Sequence, residues 1–106
     1  MTEPELPNDK IETAEDAEKL QEVIEGLQDY VDDIEPGKVL APETKNMLLK
    51  IKDRISSVFE GITDAMSKFS NDTKTYELVK SLKDLLFSLV RDIDWILEEN
   101  NKMEGN

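Results

Sequence analysis

Three stretches of this chain place apolar residues at alternating steps of three and four. Ala17, Leu20, Ile24, Leu27, Val31 and Ile34 form the first stripe, and Leu48, Ile51, Ile55, Val58, Ile62, Ala65 and Phe69 the second. Val79, Leu82, Leu86, Leu89, Ile93 and Ile96 form the third. Such spacing keeps every apolar side chain on one face of an α-helix and on no face of a strand. The constraint is therefore all-α, with three amphipathic helices at about 13–35, 42–69 and 73–99. At 1.5 Å per residue these span ~33 Å for the first and ~40 Å for the other two.

The breaks between stripes carry their own signals. Thr13 offers an N-cap oxygen, with Asp16 three residues on as an approximate capping box. Pro36-Gly37 combines a helix breaker with a residue that tolerates positive φ. Pro42 suits a first helical turn, where its missing N–H is not needed. Ser70-Asn71-Asp72-Thr73 supplies a tight turn and several caps. Breaks this short make successive helices antiparallel neighbours, which gives an up-down-up three-helix bundle with heptad-like packing and crossings of ~20°. Gly61 follows Ser56-Ser57 in the second helix, where glycine costs ~1 kcal/mol against alanine and can mark a kink. The apolar stripe passes Gly61 without losing phase, so the expectation is one continuous helix. Val39 and Leu40 in the connector are expected to plug one end of the core.

Residues 1–12 contain Pro4 and Pro7 and show no apolar period, so they are expected to form a disordered acidic lead-in. Residues 100–106 are polar and expected to fray. A chain of 106 residues fits the single domain at 13–99. The opening Met-Thr-Glu-Pro has no basic, apolar leader, and no apolar run is long enough to span a bilayer. These features lead to the expectation of a cytoplasmic protein that does not enter membranes.

Charge is distributed unevenly. Thirteen of the 25 acidic residues, and only two of the 13 basic ones, lie in the first 36 positions. That segment holds −11 of a net −12. A field of this sign repels nucleic acid and anionic lipid and attracts basic partners. With Ala17, Ile24 and Val31 at heptad position a, positions b and f are Glu15, Glu18, Glu22, Glu25, Asp29 and Asp32. All six are acidic. Neighbours in such a row stand ~5–6 Å apart, comparable with successive phosphates along a nucleic-acid strand. Solubility alone is served as well by mixed signs, so the row is a candidate partner-binding surface as well as a solvated face.

A second candidate lies on the third helix. Phe87 falls at position b and Trp95 at position c, away from the apolar seam, with Arg91 one turn from each. Exposed aromatics beside an arginine are the composition of interface hot spots. The structural alternative is that these aromatics pack against the N-terminal segment or a second copy. Phe59, Met66, Leu78 and Leu85 also flank the seams, more apolar surface than three helices readily cover, and this suggests a homo-oligomer.

Chemistry has few footholds. Histidine and cysteine are absent, which removes the commonest general base, the commonest metal ligand and the thiolate nucleophile. Serines and threonines have no histidine to activate them, and no phosphate-binding glycine loop occurs. Asp53, Arg54, Arg91 and Asp92 read as ordinary surface charges. The expectation is a protein that is no enzyme and holds no metal or cofactor: a small acidic helical module, whether regulator, adaptor or inhibitor, acting on a partner protein, with a basic protein as the candidate that its charge favours. Two other readings fit the same residues, a structural homo-oligomeric bundle and an acidic DNA-mimic or immunity-type inhibitor. If the stripes face inward, Ile55→Asp or Leu86→Asp leaves an unpaired charge in the core at a cost of several kcal/mol. Loss of the cooperative thermal transition in circular dichroism is the expected outcome; its retention would place the stripes in solvent.

Overall fold

A computed structural model describes residues 5–105 of the chain. It contains three helices: α1 (Ala14–Asp32), α2 (Pro42–Lys68) and α3 (Thr73–Glu104). The architecture is the all-α three-helix bundle that the stripes predict, 53 Å along its longest axis. Every stripe residue from Ala17 to Val31, from Leu48 to Ala65 and from Val79 to Ile93 is buried. Ile34, Phe69 and Ile96, at the stripe ends, are half-buried and pack against that core.

The caps explain where two helices begin. Asp16 donates its backbone N–H to the Thr13 hydroxyl at 3.2 Å. Its carboxylate accepts from Glu12 N at 3.0 Å and Thr13 N at 3.2 Å, which completes a capping box. The Glu12 N–H, foremost, holds the Asp16 carboxyl below the usual aspartate range. At α3 the Asp72 carboxylate accepts from the Thr75 hydroxyl at 2.8 Å and from Thr75 N at 3.3 Å, and the hydroxyl is the main reason that its acidity is raised. Alanine precedes α2 and caps nothing; Pro42 starts that helix instead.

Helix α3 is the centre of the molecule. Both α1 and α2 pack on it, whereas no Cα of α1 comes within 8 Å of a Cα of α2 among the described residues. Gln28 of α1 reaches Asp92 of α3, and the connector at Leu40 reaches Asn100, so α1 and α3 run parallel with α2 antiparallel to them. On α2, Lys52 and Phe59 face α3 through Asp94 (2.6 Å) and Phe87 (ring centroids 4.9 Å apart).

The opposite flank of α2 carries the first departure from the sequence reading. Residues 5–12 are not a free lead-in: Pro7 and Ile11 are buried, and Ile11 belongs to the core. Arg54, read as an ordinary surface charge, donates Nε to the Pro7 carbonyl at 2.8 Å. Gly61, two turns further along the same line of α2, lets the backbone of Asp9 approach so closely that a Cβ there would overlap the Asp9 carbonyl. The glycine therefore marks a close backbone approach, and α2 is unbroken through it. This N-terminal strap lies along α2 and adds Ile11 to the core. The part of the expectation that falls on residues 1–4 lies outside the described residues.

The C-terminal end differs too. Instead of fraying after residue 99, α3 continues to Glu104, because Asn100 turns inward and is only 1 % exposed. Its Oδ1 accepts the Leu40 N–H at 2.8 Å, satisfying a connector donor that would otherwise be lost to burial. Its Nδ2 is buried without closing a hydrogen bond of its own. One turn on, Glu104 pairs with Lys45 of α2 at 3.1 Å. The Lys45 ammonium, foremost, holds its carboxyl below the usual range. Leu40 does plug the core end, but Val39 is 56 % exposed. Helix α1 stops at Asp32, three residues before its expected end, and Gly37 takes the positive φ of 81° that turns the connector.

The strap makes opposite demands on Gly61 from those of helix propensity. Gly61→Ala in the full chain is expected to lower the melting temperature, because the Asp9 backbone must move. With residues 1–10 removed, the same substitution should stabilise by ~1 kcal/mol, the ordinary helical gain of alanine over glycine. Thermal denaturation of the four chains checks both signs.

Candidate functional site

Each side chain singled out in the sequence can be placed. Glu15, Glu18, Glu22, Glu25, Asp29 and Asp32 are all exposed along α1. Glu15 has Lys19 at 3.8 Å, with both side chains in solvent; a pair that exposed contributes little to stability. Glu25 accepts from the Gln21 amide at 3.4 Å. No cation stands within ion-pair distance of Glu18, Glu22, Glu25, Asp29 or Asp32 among the described residues. Phe87 and Trp95 are each 56 % exposed on the outer side of α3. Phe87 leans one edge on Phe59, and Arg91 lies exposed between the two aromatics with no carboxylate in ion-pair reach. Of the flanking apolar residues, Phe59, Met66 and Leu78 are packed against the core, and Leu85 remains 37 % exposed.

The two candidate surfaces meet at one end of the bundle. A cleft of about 650 Å³ opens where the end of α1, the connector and the C-terminal half of α3 converge. Asp32 comes to it from the acidic row, and Arg91 and Trp95 from the aromatic face. Its apolar wall is Ile34, Leu40, Ile96 and Met103. Trp95 and Arg91 also border a shallower groove that runs along α3 to Phe87. The indole thus stands on the ridge between both hollows. Glu15 lies ~25 Å from Asp32 along the helix at 1.5 Å per residue, so the N-terminal part of the row is not brought to this site.

Gln28 organises the polar side of the cleft. Its amide nitrogen donates to Asp32 Oδ1 at 2.9 Å and to Asp92 Oδ2 at 3.0 Å, tying a carboxylate of α1 to one of α3. Asp92, like Arg54, is therefore more than an ordinary surface charge. Neither carboxylate has a cation partner among the described residues. Lys38, on the far rim, is already held by Glu35 at 2.6 Å. The sequence reading missed Asp92, Gln28, Ile34, Leu40 and Met103 as site residues, since only the packing of α1 on α3 and the inward turn of Asn100 bring them together.

A sequence signal for this place did exist. The C-terminal turn of α1 holds Asp29 and Asp32, with Asp33 as its cap residue, and has no basic residue. Acids at that end oppose the helix dipole, each at a cost of ~0.3–1 kcal/mol at low salt. The last turn of α2 carries Lys68, in the favourable sense, and that of α3 carries Lys102 together with Glu104.

Among the described residues, no three acidic side chains gather in a way that could hold a metal ion. No helix there is long and apolar enough to cross a membrane. The chain matches no protein-family model, no curated protein and no solved structure.

Neutralising acids at this end should stabilise the fold. Asp29→Asn with Asp33→Asn is expected to raise stability by ~0.5–1 kcal/mol at low ionic strength, with the gain shrinking as salt screens the charges. Chemical denaturation at two salt concentrations measures it, and an unchanged or lowered midpoint would remove the dipole as an influence here.

Proposed function

We propose that this chain is a small cytoplasmic interaction module that acts by binding a partner protein and carries out no catalysis of its own. The observation that carries this reading is the outer face of α3, where Phe87 and Trp95 are more than half exposed on either side of Arg91, which has no ion-pair partner among the described residues. Exposed Phe and Trp beside arginine are the groups that dominate association energy when they are desolvated by a partner.

The acidic row supports a basic partner. Its exposed, largely unpaired carboxylates raise the local concentration of a cationic surface and speed encounter, with a strong salt dependence. Burial by the aromatics and steering by the acids are separate contributions, one governing dissociation and the other association.

Affinity capture from the native host at low and high salt tests the reading. Recovery of a basic protein, with Phe87→Ala and Trp95→Ala abolishing capture, is expected. Reversal of Glu18, Glu22, Glu25 and Asp29 to lysine should leave the helical signal intact, since exposed changes usually stay within ~0.5 kcal/mol each, and should slow association. Capture unaffected by the charge reversal would reduce the row to a solvated face. Recovery of the chain alone, with light scattering giving a multiple of the single-chain mass, would favour the homo-oligomer.

A further inference from the structure

We infer that the cleft between the end of α1, the connector and α3 receives a large apolar side chain of a partner protein that is flanked by arginine or lysine, with the cation settling on the Asp32–Asp92 pair. The inference rests on the interaction-module reading and assigns it a specific receptor site.

The apolar half of the argument is the wall of Ile34, Leu40, Ile96 and Met103, with the Trp95 indole on its rim. The hollow, at about 650 Å³, has room for a large side chain and part of its neighbours. Met103 adds an unbranched, polarisable side chain that adapts to the shape of an occupant.

The charged half is the pair of carboxylates. Each gives one oxygen to the single Gln28 amide and keeps further acceptor capacity that no other donor among the described residues fills. Two helices thus hold two negative charges side by side next to an apolar wall, where neither is neutralised by Lys38, already paired with Glu35, or by Arg91. A guanidinium presents several donors in a fixed fork and can bridge two carboxylates at once. Asp29 and Asp33 extend the same sign around the end of α1. An acidic occupant would meet this concentration of charge; a basic one relieves it.

The test uses two synthetic peptides on the full chain, one with a leucine between arginines and the other with the arginines replaced by glutamates. Trp95 is the only tryptophan, so its emission responds to an occupant of the cleft or of the adjoining groove, and the Asp32 and Asp92 variant tells the two apart. The arginine peptide is expected to shift that emission to shorter wavelength and to saturate. Asp32→Asn with Asp92→Asn should weaken its binding by about tenfold or more, as loss of a close charge pair does. Glu60→Gln with Asp64→Asn, exposed on α2 away from both the acidic row and the cleft, should change it by less than about twofold. Circular dichroism confirms that both variants remain helical. Equal binding of the two peptides, or equal weakening by the two double variants, would overturn the assignment. No shift with either peptide would overturn it as well, while partner capture through Phe87 and Trp95, which uses no peptide, judges the broader reading independently.

Discussion

The buried seam of α3 is the constraint on which the rest of the molecule depends. Val79, Leu82, Leu86, Leu89 and Ile93 are fully covered, and they are shared by two helices whose backbones do not approach each other. In a closed three-helix bundle each pair of helices supports the third. Here α1 and α2 each lean on α3, so removing volume from its seam loosens both sides at once. Burial of such side chains contributes roughly 1.5–3 kcal/mol apiece, and α3 is where those contributions overlap.

The chain adds its own N-terminal residues to this packing. Pro7 and Ile11 are buried against α2, Arg54 is anchored on a strap carbonyl, and Gly61 has given up its Cβ to let the strap pass. The other end is fastened differently. Asn100 lends its side chain to the connector and Glu104 to the start of α2, which keeps α3 helical where its polar composition suggests unravelling. Both fastenings are polar or backbone contacts between residues more than 40 positions apart.

This separation decides what could be read from the sequence. Helix periodicity is local, so the three stripes, the Thr13–Asp16 box and the Pro42 start were legible from spacing alone. The strap was not, because Pro4, Pro7 and a run of charge look the same whether free or docked, and only the position of Gly61 hinted at a docking partner. Asn100 is likewise indistinguishable in sequence from a solvated tail residue. At the candidate site, Glu15 to Asp32 and Phe87, Arg91 and Trp95 were correctly placed on outward faces by their heptad positions. Their convergence was not legible, since it depends on which turn of α1 lies against which turn of α3, and Gln28 with Asp92 sets that register across 64 residues.

The acidic end of α1 has a consequence for how recognition and folding are joined. A cation in the last turn stabilises a helix, and the last turn of α1 holds none. A positive group brought to Asp29, Asp32 and Asp33 from outside would act as the missing terminal residue of α1, steadying its last turn and the connector that follows. Ligand that binds only the folded form raises its stability by mass action, and in this protein the gain would be concentrated at one helix end. Occupancy of the site and order in the end of α1 would then be two readings of a single equilibrium.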